Sequence, residues 1–165
     1  RNTPVEINEA IAPIVIWRKE YRTDSGGAGR YRGGTGQIME ISNREGAPFA
    51  ISSMFDRVKH PARGREGGRA GQVGRMYTSG GQVLRAKGRQ PIAAGERLIM
   101  EMPGGGGFGT PWERSVEAVQ ADVRHGLVSP ESARRDYAVV IDASGVVDQA
   151  ATVALRSKQS RSTPD

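Results

Sequence analysis

The sequence predicts an α+β fold that is mainly β, with glycine-rich loops, two short helices near the C-terminus and a final strand. β-Branched and aromatic runs such as Ile14-Val15-Ile16-Trp17 recur through the first hundred residues. Glycine and proline are abundant, 23 and 9 of 165 residues, against 36% hydrophobic and 5% aromatic residues, which argues against a helical bundle. The final third changes to helical spacing behind recognisable caps. A chain of 165 residues fits one domain, or the end of a larger one, and is long enough to bury a core.

The run from Ile14 reads as a strand that ends near Tyr21, where Thr23-Asp24-Ser25-Gly26 breaks it. After a glycine-dense loop, Gln37 to Ser42 alternates, with Ile38 and Glu40 facing one way and Met39 and Ile41 the other. Ala47 to Phe55 is a further strand. Between Lys59 and Gly74 nearly every residue is Gly, Arg, Pro, Ala or polar, a composition that predicts a long exposed loop of the kind found at interfaces. Gln82 to Arg85 and Arg97 to Met102 read as strands, joined through Ala93-Ala94-Gly95-Glu96, whose glycine suits a turn. Thr110-Pro111-Trp112-Glu113 has the N-cap, first-turn proline and N3 glutamate of a capping box, so a helix should start there. Trp112, Val116, Val119 and Val123 form its apolar stripe, and Gly126 follows as a C-cap. Ser129-Pro130-Glu131 opens a second, shorter helix toward Asp136, and Tyr137 to Ile141 returns to a strand. Structure is expected over residues 1–156. The polar, basic and aperiodic stretch 157–165 is expected to be a disordered tail.

The absence of cysteine excludes disulfide frameworks, thiolate catalysis and cysteine-held metal sites. The longest apolar run, Ala12 to Trp17, is too short to span a bilayer, and no basic stretch followed by an apolar run resembles a signal peptide. A soluble, cytoplasmic protein is expected. The chain begins at Arg1 rather than Met, and Arg1-Asn2-Thr3-Pro4 reads as mid-chain sequence, which predicts truncation or processing upstream.

The net charge of +6 is not spread evenly. From Arg57 to Arg97 ten Lys and Arg face only Glu66 and Glu96, a local balance of +8 that leaves −2 elsewhere. Such a segment can meet solvent, a partner chain, an anionic substrate or nucleic acid. Nucleic acid ranks last, because the aromatic stacking platform usual for single strands is missing.

Two glycine clusters stand out. In Ser25-Gly26-Gly27-Ala28-Gly29-Arg30-Tyr31-Arg32-Gly33-Gly34-Thr35-Gly36, glycine lets backbone come close, so the loop could offer amides to an anion while Arg30 and Arg32 add bidentate donors. The competing reading is a compact turn whose arginines hold a neighbouring chain. The second cluster, Pro103 to Gly109, formally satisfies G-x-G-x-x-G through Gly104, Gly106 and Gly109. It lacks a strand directly after the helix and an acid at the spacing a ribose requires, so it reads as a close-packed corner between a strand and a helix. His60 and His125 have no partners at metal-ligand spacing, and Ser52 and Ser53 lack a nucleophile-elbow context. The residues nominate no catalytic group and no metal ligand.

Several stretches together resemble the C-terminal part of the hydantoinase B/oxoprolinase family, which includes subunits of acetone and acetophenone carboxylases. They are Asn2-Thr3-Pro4-Val5-Glu6, Asp24 to Gly34, Pro103 to Gly109 followed by Thr110-Pro111-Trp112-Glu113-Arg114, Asp122 to Ser129 and Asp136 to Asp142. Their order and spacing carry the resemblance. Arg63 to Gly71 departs from it, since that loop would be expected to hold more hydrophobic residues.

The resemblance implies part of the B-type subunit of an ATP-dependent amidohydrolase that opens a hydantoin, oxoproline or related lactam ring. It further implies an A-type partner that performs phosphoryl activation and supplies ATP and Mg, within a hetero-oligomer that also contains the N-terminal remainder of the B-type subunit. A divalent metal would sit in that N-terminal part, with none bound by this chain alone, and the isolated chain would be inactive. The alternatives are a fragment of an ATP-dependent ketone carboxylase and a noncatalytic interaction module. Arg30 and Arg32 are the candidates for anion or substrate contact.

Overall fold

The structure is a computed structural model that describes residues 3–161, with side chains through Gln159. The chain forms two compact units, each assembled from three separate stretches. The predicted α+β class is observed.

Unit 1 comprises Arg1–Glu20, Gln37–His60 and Val73–Met102. It opens on helix α1 (Val5–Ile11) and contains strands β1 (Ile14–Tyr21), β2 (Gln37–Asn43), β3 (Phe49–Met54), β4 (Arg75–Thr78), β5 (Lys87–Ile92) and β6 (Leu98–Glu101). Four strands form a sheet in the order β1-β2-β6-β4, and β3 and β5 form a separate ribbon. β6 sits between two antiparallel neighbours, pairing Ile38 with Glu101 on one side and Arg75 with Glu101 on the other. Its short run Leu98-Ile99-Met100-Glu101 is therefore apolar on both faces up to its last residue. Met76, Leu84, Ile92 and Leu98 make the buried core, backed by Ile41, Phe49, Ile51, Phe55 and Met100. Burial of such side chains stabilises by about 1.5–3 kcal/mol each.

The predicted strand at Gln82–Arg85 is reduced to a bridge between Val83 and Tyr77, and the strand lies further on, at β5. Gly81, at φ +86°, turns the chain after β4 so that Leu84 N donates to the Met76 carbonyl. β5 tolerates Pro91 because a two-stranded ribbon leaves edges with no ladder bond to lose.

Unit 2 comprises Tyr21–Gly36, Pro61–Gln72 and Pro103–Asp165. Its apolar core gathers Ala28, Val119, Val128, Ala133, Tyr137, Val139 and Ile141. Around it lie a 3-10 turn (Pro111–Glu113) and helices α2 (Val116–Arg124), α3 (Pro130–Tyr137) and α4 (Gln149–Arg161). The helix expected from Thr110 starts later. Thr110 makes no side-chain cap and opens only the 3-10 turn, whereas the Ser115 hydroxyl accepts from Ala118 N at 3.2 Å and caps α2. Ser129 caps α3 as expected, accepting from Ser132 N at 3.1 Å.

Two expectations near the C-terminus need correction. The final strand from Tyr137 to Ile141 is not formed, because α3 runs through Tyr137, Ala138 turns the chain at φ +53°, and only the bridge of Ile141 with Val147 remains. The tail expected to be disordered from Ser157 is helical through Arg161, while 162–165 lie outside the described residues. Three contacts that composition does not reveal anchor α4. Asp148 Oδ1 accepts from Ala151 N at 2.9 Å, Thr152 Oγ1 accepts from Val140 N at 3.0 Å, and Arg156 donates to the Arg114 carbonyl at 2.7 Å.

The rest of unit 2 is built from backbone. Three glycine-rich segments, 25–34, 62–72 and 104–109, bond amide to carbonyl without forming regular strands. Gly27 N donates to Gly105 O and Gly105 N to Gly34 O, each at 2.8 Å, while Arg69 N donates to Ala28 O at 2.7 Å and Gly107 N to Arg69 O at 2.9 Å. A Cβ at Gly27, Gly33, Gly68, Gly104 or Gly107 would overlap a carbonyl of a neighbouring segment. The stretch predicted as a long exposed loop contributes Pro61–Gln72 as one leg of this bundle, with Ala62 and Gly71 buried.

Candidate functional site

The two arginines singled out in the first glycine cluster go to different environments. Arg30 is exposed, with its guanidinium 5.8 Å above the Tyr31 ring and 4.0 Å from the Glu113 carboxylate. Tyr31 and Phe108, both exposed, face each other at 6.3 Å between ring centroids, because their backbones pair where two glycine segments meet. Arg32 turns inward. Its side chain is 15% exposed, and Nε donates to Asp122 Oδ2 at 3.2 Å while Nη1 donates to the Gly33 carbonyl at 2.9 Å and to Thr35 Oγ1 at 2.8 Å.

Asp122 is shared. Arg114 Nη2 lies 2.9 Å from the same carboxylate oxygen, and Arg114 Nη1 donates to the Arg30 carbonyl at 3.1 Å. One carboxylate thus faces two guanidinium groups in a poorly solvated position, where removal of the acid would leave both uncompensated. Arg156 adds a third arginine next to Arg114, and burial lowers its pKa. The Nε atoms of Arg114 and Arg156 are buried and have no hydrogen-bond partner among the described residues. Burial also pushes the Tyr137 phenol up to about 12, against the opposing pull of Arg114 and Arg32. A phenol kept protonated among paired arginines holds geometry and does not accept a proton near neutral pH.

Many amides of the glycine segments are committed as well. Gly104, Gly105, Gly107, Phe108 and Gly109 donate to the carbonyls of Gln72, Gly34, Arg69, Tyr31 and Arg65, and Gly27, Arg30, Tyr31 and Gly33 donate within the same bundle. These bonds pack the loop as a corner, and the amides that make them are not offered to a phosphate.

Unit 1 carries a second polar cluster beside a broad groove. Glu101 Oε2 accepts from Arg75 Nε and Nη2 at 3.0 and 2.7 Å, and its Oε1 accepts from the Tyr77 hydroxyl at 3.0 Å. Burial first, then the Glu101 hydrogen bond and charge, raise the Tyr77 pKa, which keeps the phenol a donor. Arg75 and Tyr77 also line a groove of about 720 Å³ with Val58, Lys59, Met76 and Leu84. Elsewhere in the unit, the Arg97 guanidinium stacks 4.1 Å above the Trp17 ring while bonding Glu40 at 2.9 Å.

His60 and His125 are exposed, and among the described residues no three His, Cys, Asp or Glu side chains group to hold a metal ion. The Ser53 hydroxyl faces the Arg85 and Gly88 carbonyls and the Gln90 amide, not a base. Sequence reading missed Asp122, Arg114 and Arg156, which meet Arg32 and one another only in the fold, and Tyr77, whose strand is too short to show alternation. Among the described residues no helix is long and apolar enough to cross a membrane.

Residues 1–111 match the hydantoinase B/oxoprolinase family. The chain is 37% identical over 161 residues to the beta chain of the caprolactamase of Pseudomonas jessenii, covering 93% of this chain and 28% of that protein. It is 30% identical over 162 residues to the B-type chain of a putative D-/L-hydantoinase of a Pseudomonas species, covering 94% and 27%. It is 37% identical over 114 residues to 5-oxoprolinase 1 of Arabidopsis thaliana, covering 67% and 9%. The crystal structure of the ATP-dependent caprolactamase from Pseudomonas jessenii matches with a TM-score of 0.77 at 35% identity, over 94% of this chain and 28% of that one. Nucleotide-free acetone carboxylase shares the fold, with a TM-score of 0.80 at 24% identity over 98% of this chain and 27% of that one. This chain spans less than a third of the length of these relatives.

Proposed function

The chain belongs to the hydantoinase B/oxoprolinase family, and from that premise we propose that it is part of the B-type subunit of an ATP-dependent amidohydrolase that opens a lactam, hydantoin or oxoproline ring. The single observation that carries the proposal is the 37% identity to the caprolactamase beta chain over 93% of the present one. A ring amide resists hydrolysis because lone-pair donation from nitrogen makes its carbonyl carbon a weak electrophile and the nitrogen a poor leaving group. Phosphoryl transfer from ATP to the amide oxygen by an A-type partner, which would bind ATP and Mg, would make that carbon electrophilic toward water; the C–N bond then breaks as the nitrogen takes a proton, and hydrolysis of the resulting acyl phosphate gives the carboxylate and phosphate. Such a hetero-oligomer would work in the cytoplasm, where ATP is available.

Within this assembly the described residues offer support and contact rather than chemistry. Arg32 is a positioning residue, since its guanidinium is already held by Asp122 and Thr35. Arg30, exposed beside Tyr31 and Phe108, is the arginine free to approach a phosphate or carboxylate of substrate or partner. A metal would need ligands from outside these residues.

The test uses the full-length subunit co-expressed with its A-type partner and supplied with ATP and caprolactam, hydantoin or oxoproline. Ring-opened product formed in step with ADP is the expected result. Consumption of bicarbonate with a ketone instead would assign the chain to a carboxylase. Absence of both activities in a stable complex would make it a noncatalytic interaction module.

A further inference from the structure

The groove in unit 1 is apolar at its floor and cationic at its rim. Val58, Met76, Val83, Leu84 and Ala86 line it, Val83 with 82% of its surface exposed. Of the basic residues around β4 and β5, Arg75, Lys87 and Arg97 are paired with Glu101, Asp56 and Glu40. Lys59 and Arg85, which also line the groove, have no carboxylate partner among the described residues. The surplus of charge between Arg57 and Arg97 therefore comes to rest partly at the edge of this hollow.

We propose that the groove seats an acidic, apolar segment of the A-type partner chain, an inference that rests on the function proposed above. An apolar centre within a solvated charged rim is the anatomy of an interface between separately folded chains. The two unpaired cations would meet carboxylates of the arriving segment and raise the encounter rate, while Val83, Met76 and Leu84 take up its apolar side chains. A small ligand would need several free polar groups converging in the hollow. The Tyr77 hydroxyl and the Arg75 guanidinium are already committed to Glu101. Nucleic acid would need a longer track of cations than two side chains provide.

The experiment measures binding of the full-length subunit to the A-type chain for wild type, Val83→Asp and the double variant Lys59→Glu/Arg85→Glu. All three side chains are exposed, so melting should be unchanged. Val83→Asp is expected to weaken binding at least about 10-fold, and the double reversal to slow association several-fold and flatten its dependence on salt. Wild-type affinity in both variants, with wild-type turnover intact, overturns the groove and leaves the proposed function standing. A wild-type protein that binds no A-type chain overturns both. Should Val83→Asp misfold, maleimide labelling of Val83→Cys supplies the second readout. Protection that appears only when the A-type chain is added supports the proposal. Labelling equal with and without that chain overturns it, as does protection already complete in the subunit alone, which would make the occupant part of the same subunit.

Discussion

The sheet-bearing unit fills its interior with side chains such as Met76, Leu84, Ile92 and Leu98, whereas the glycine-rich unit fills much of its interior with backbone. The two materials respond differently to error. A side chain that loses a neighbour can change rotamer, so damage to the sheet unit is graded by the volume removed. A carbonyl bonded into a neighbouring segment cannot step aside, so a single added methyl group acts on the whole bundle.

That contrast breaks or sharpens under four measurements. The largest effect should follow Gly104→Ala, whose Cβ would overlap the Ser25 carbonyl oxygen. A loss of about 4 kcal/mol or more is expected, localised by hydrogen exchange to unit 2. Gly34→Ala, with nothing within 4 Å of the added carbon, should stay within about 0.5 kcal/mol. Equal effects at the two positions would refute backbone packing. Leu98→Ala, at a fully buried site of unit 1, should cost about 3 kcal/mol in denaturant melts, with the exchange response confined to unit 1. Asp122→Asn should cost about 2 kcal/mol, below the loss for a fully buried pair because Arg32 and Arg114 keep some contact with water. A neutral outcome would show that the arginines find other partners.

A further effect, outside that contrast, appears only in alkali. Tyr137 titrates near 12 in the folded chain against about 10 when unfolded, so the folded state favours the protonated phenol. Its contribution is fully present below pH of about 10 and is lost as the pH rises through about 12. Tyr137→Phe should flatten that part of the stability profile, and the phenolate absorbance of the native protein should lack the Tyr137 contribution between these limits.

Elements with strong local signals were legible in sequence. The β-branched run of β1, the alternation of β2, the apolar run of β6 and the Ser129 cap of α3 each depend on neighbours a few residues apart. β4 offers only Arg75-Met76-Tyr77-Thr78, too brief for a period to emerge, and β5 is interrupted by Gly88 and Pro91. β5 also buries Gln90, whose amide bonds both the N–H and the carbonyl of Arg85, so a polar residue serves where a core residue would be sought. Arg32 and Asp122 are 90 positions apart, and no local rule links them. Arg30 and Arg32 looked equivalent in sequence because spacing alone does not say which arginine will meet an acid.

Surface loops ordinarily accept insertions and deletions, and glycine-rich ones are the usual place to look for them. In this chain they should be the least elastic parts. Gly64, Gly68 and Gly71 each stand where a neighbouring carbonyl leaves room for hydrogen alone. One residue added between Gly64 and Gly68 would carry Ala70 into the place of Gly71, or Arg65 into that of Gly64, and neither slot admits a side chain. Segments that read like spacers thus act as measured lengths, and drift in this region should proceed by replacement at the exposed arginines rather than by any change in the number of residues.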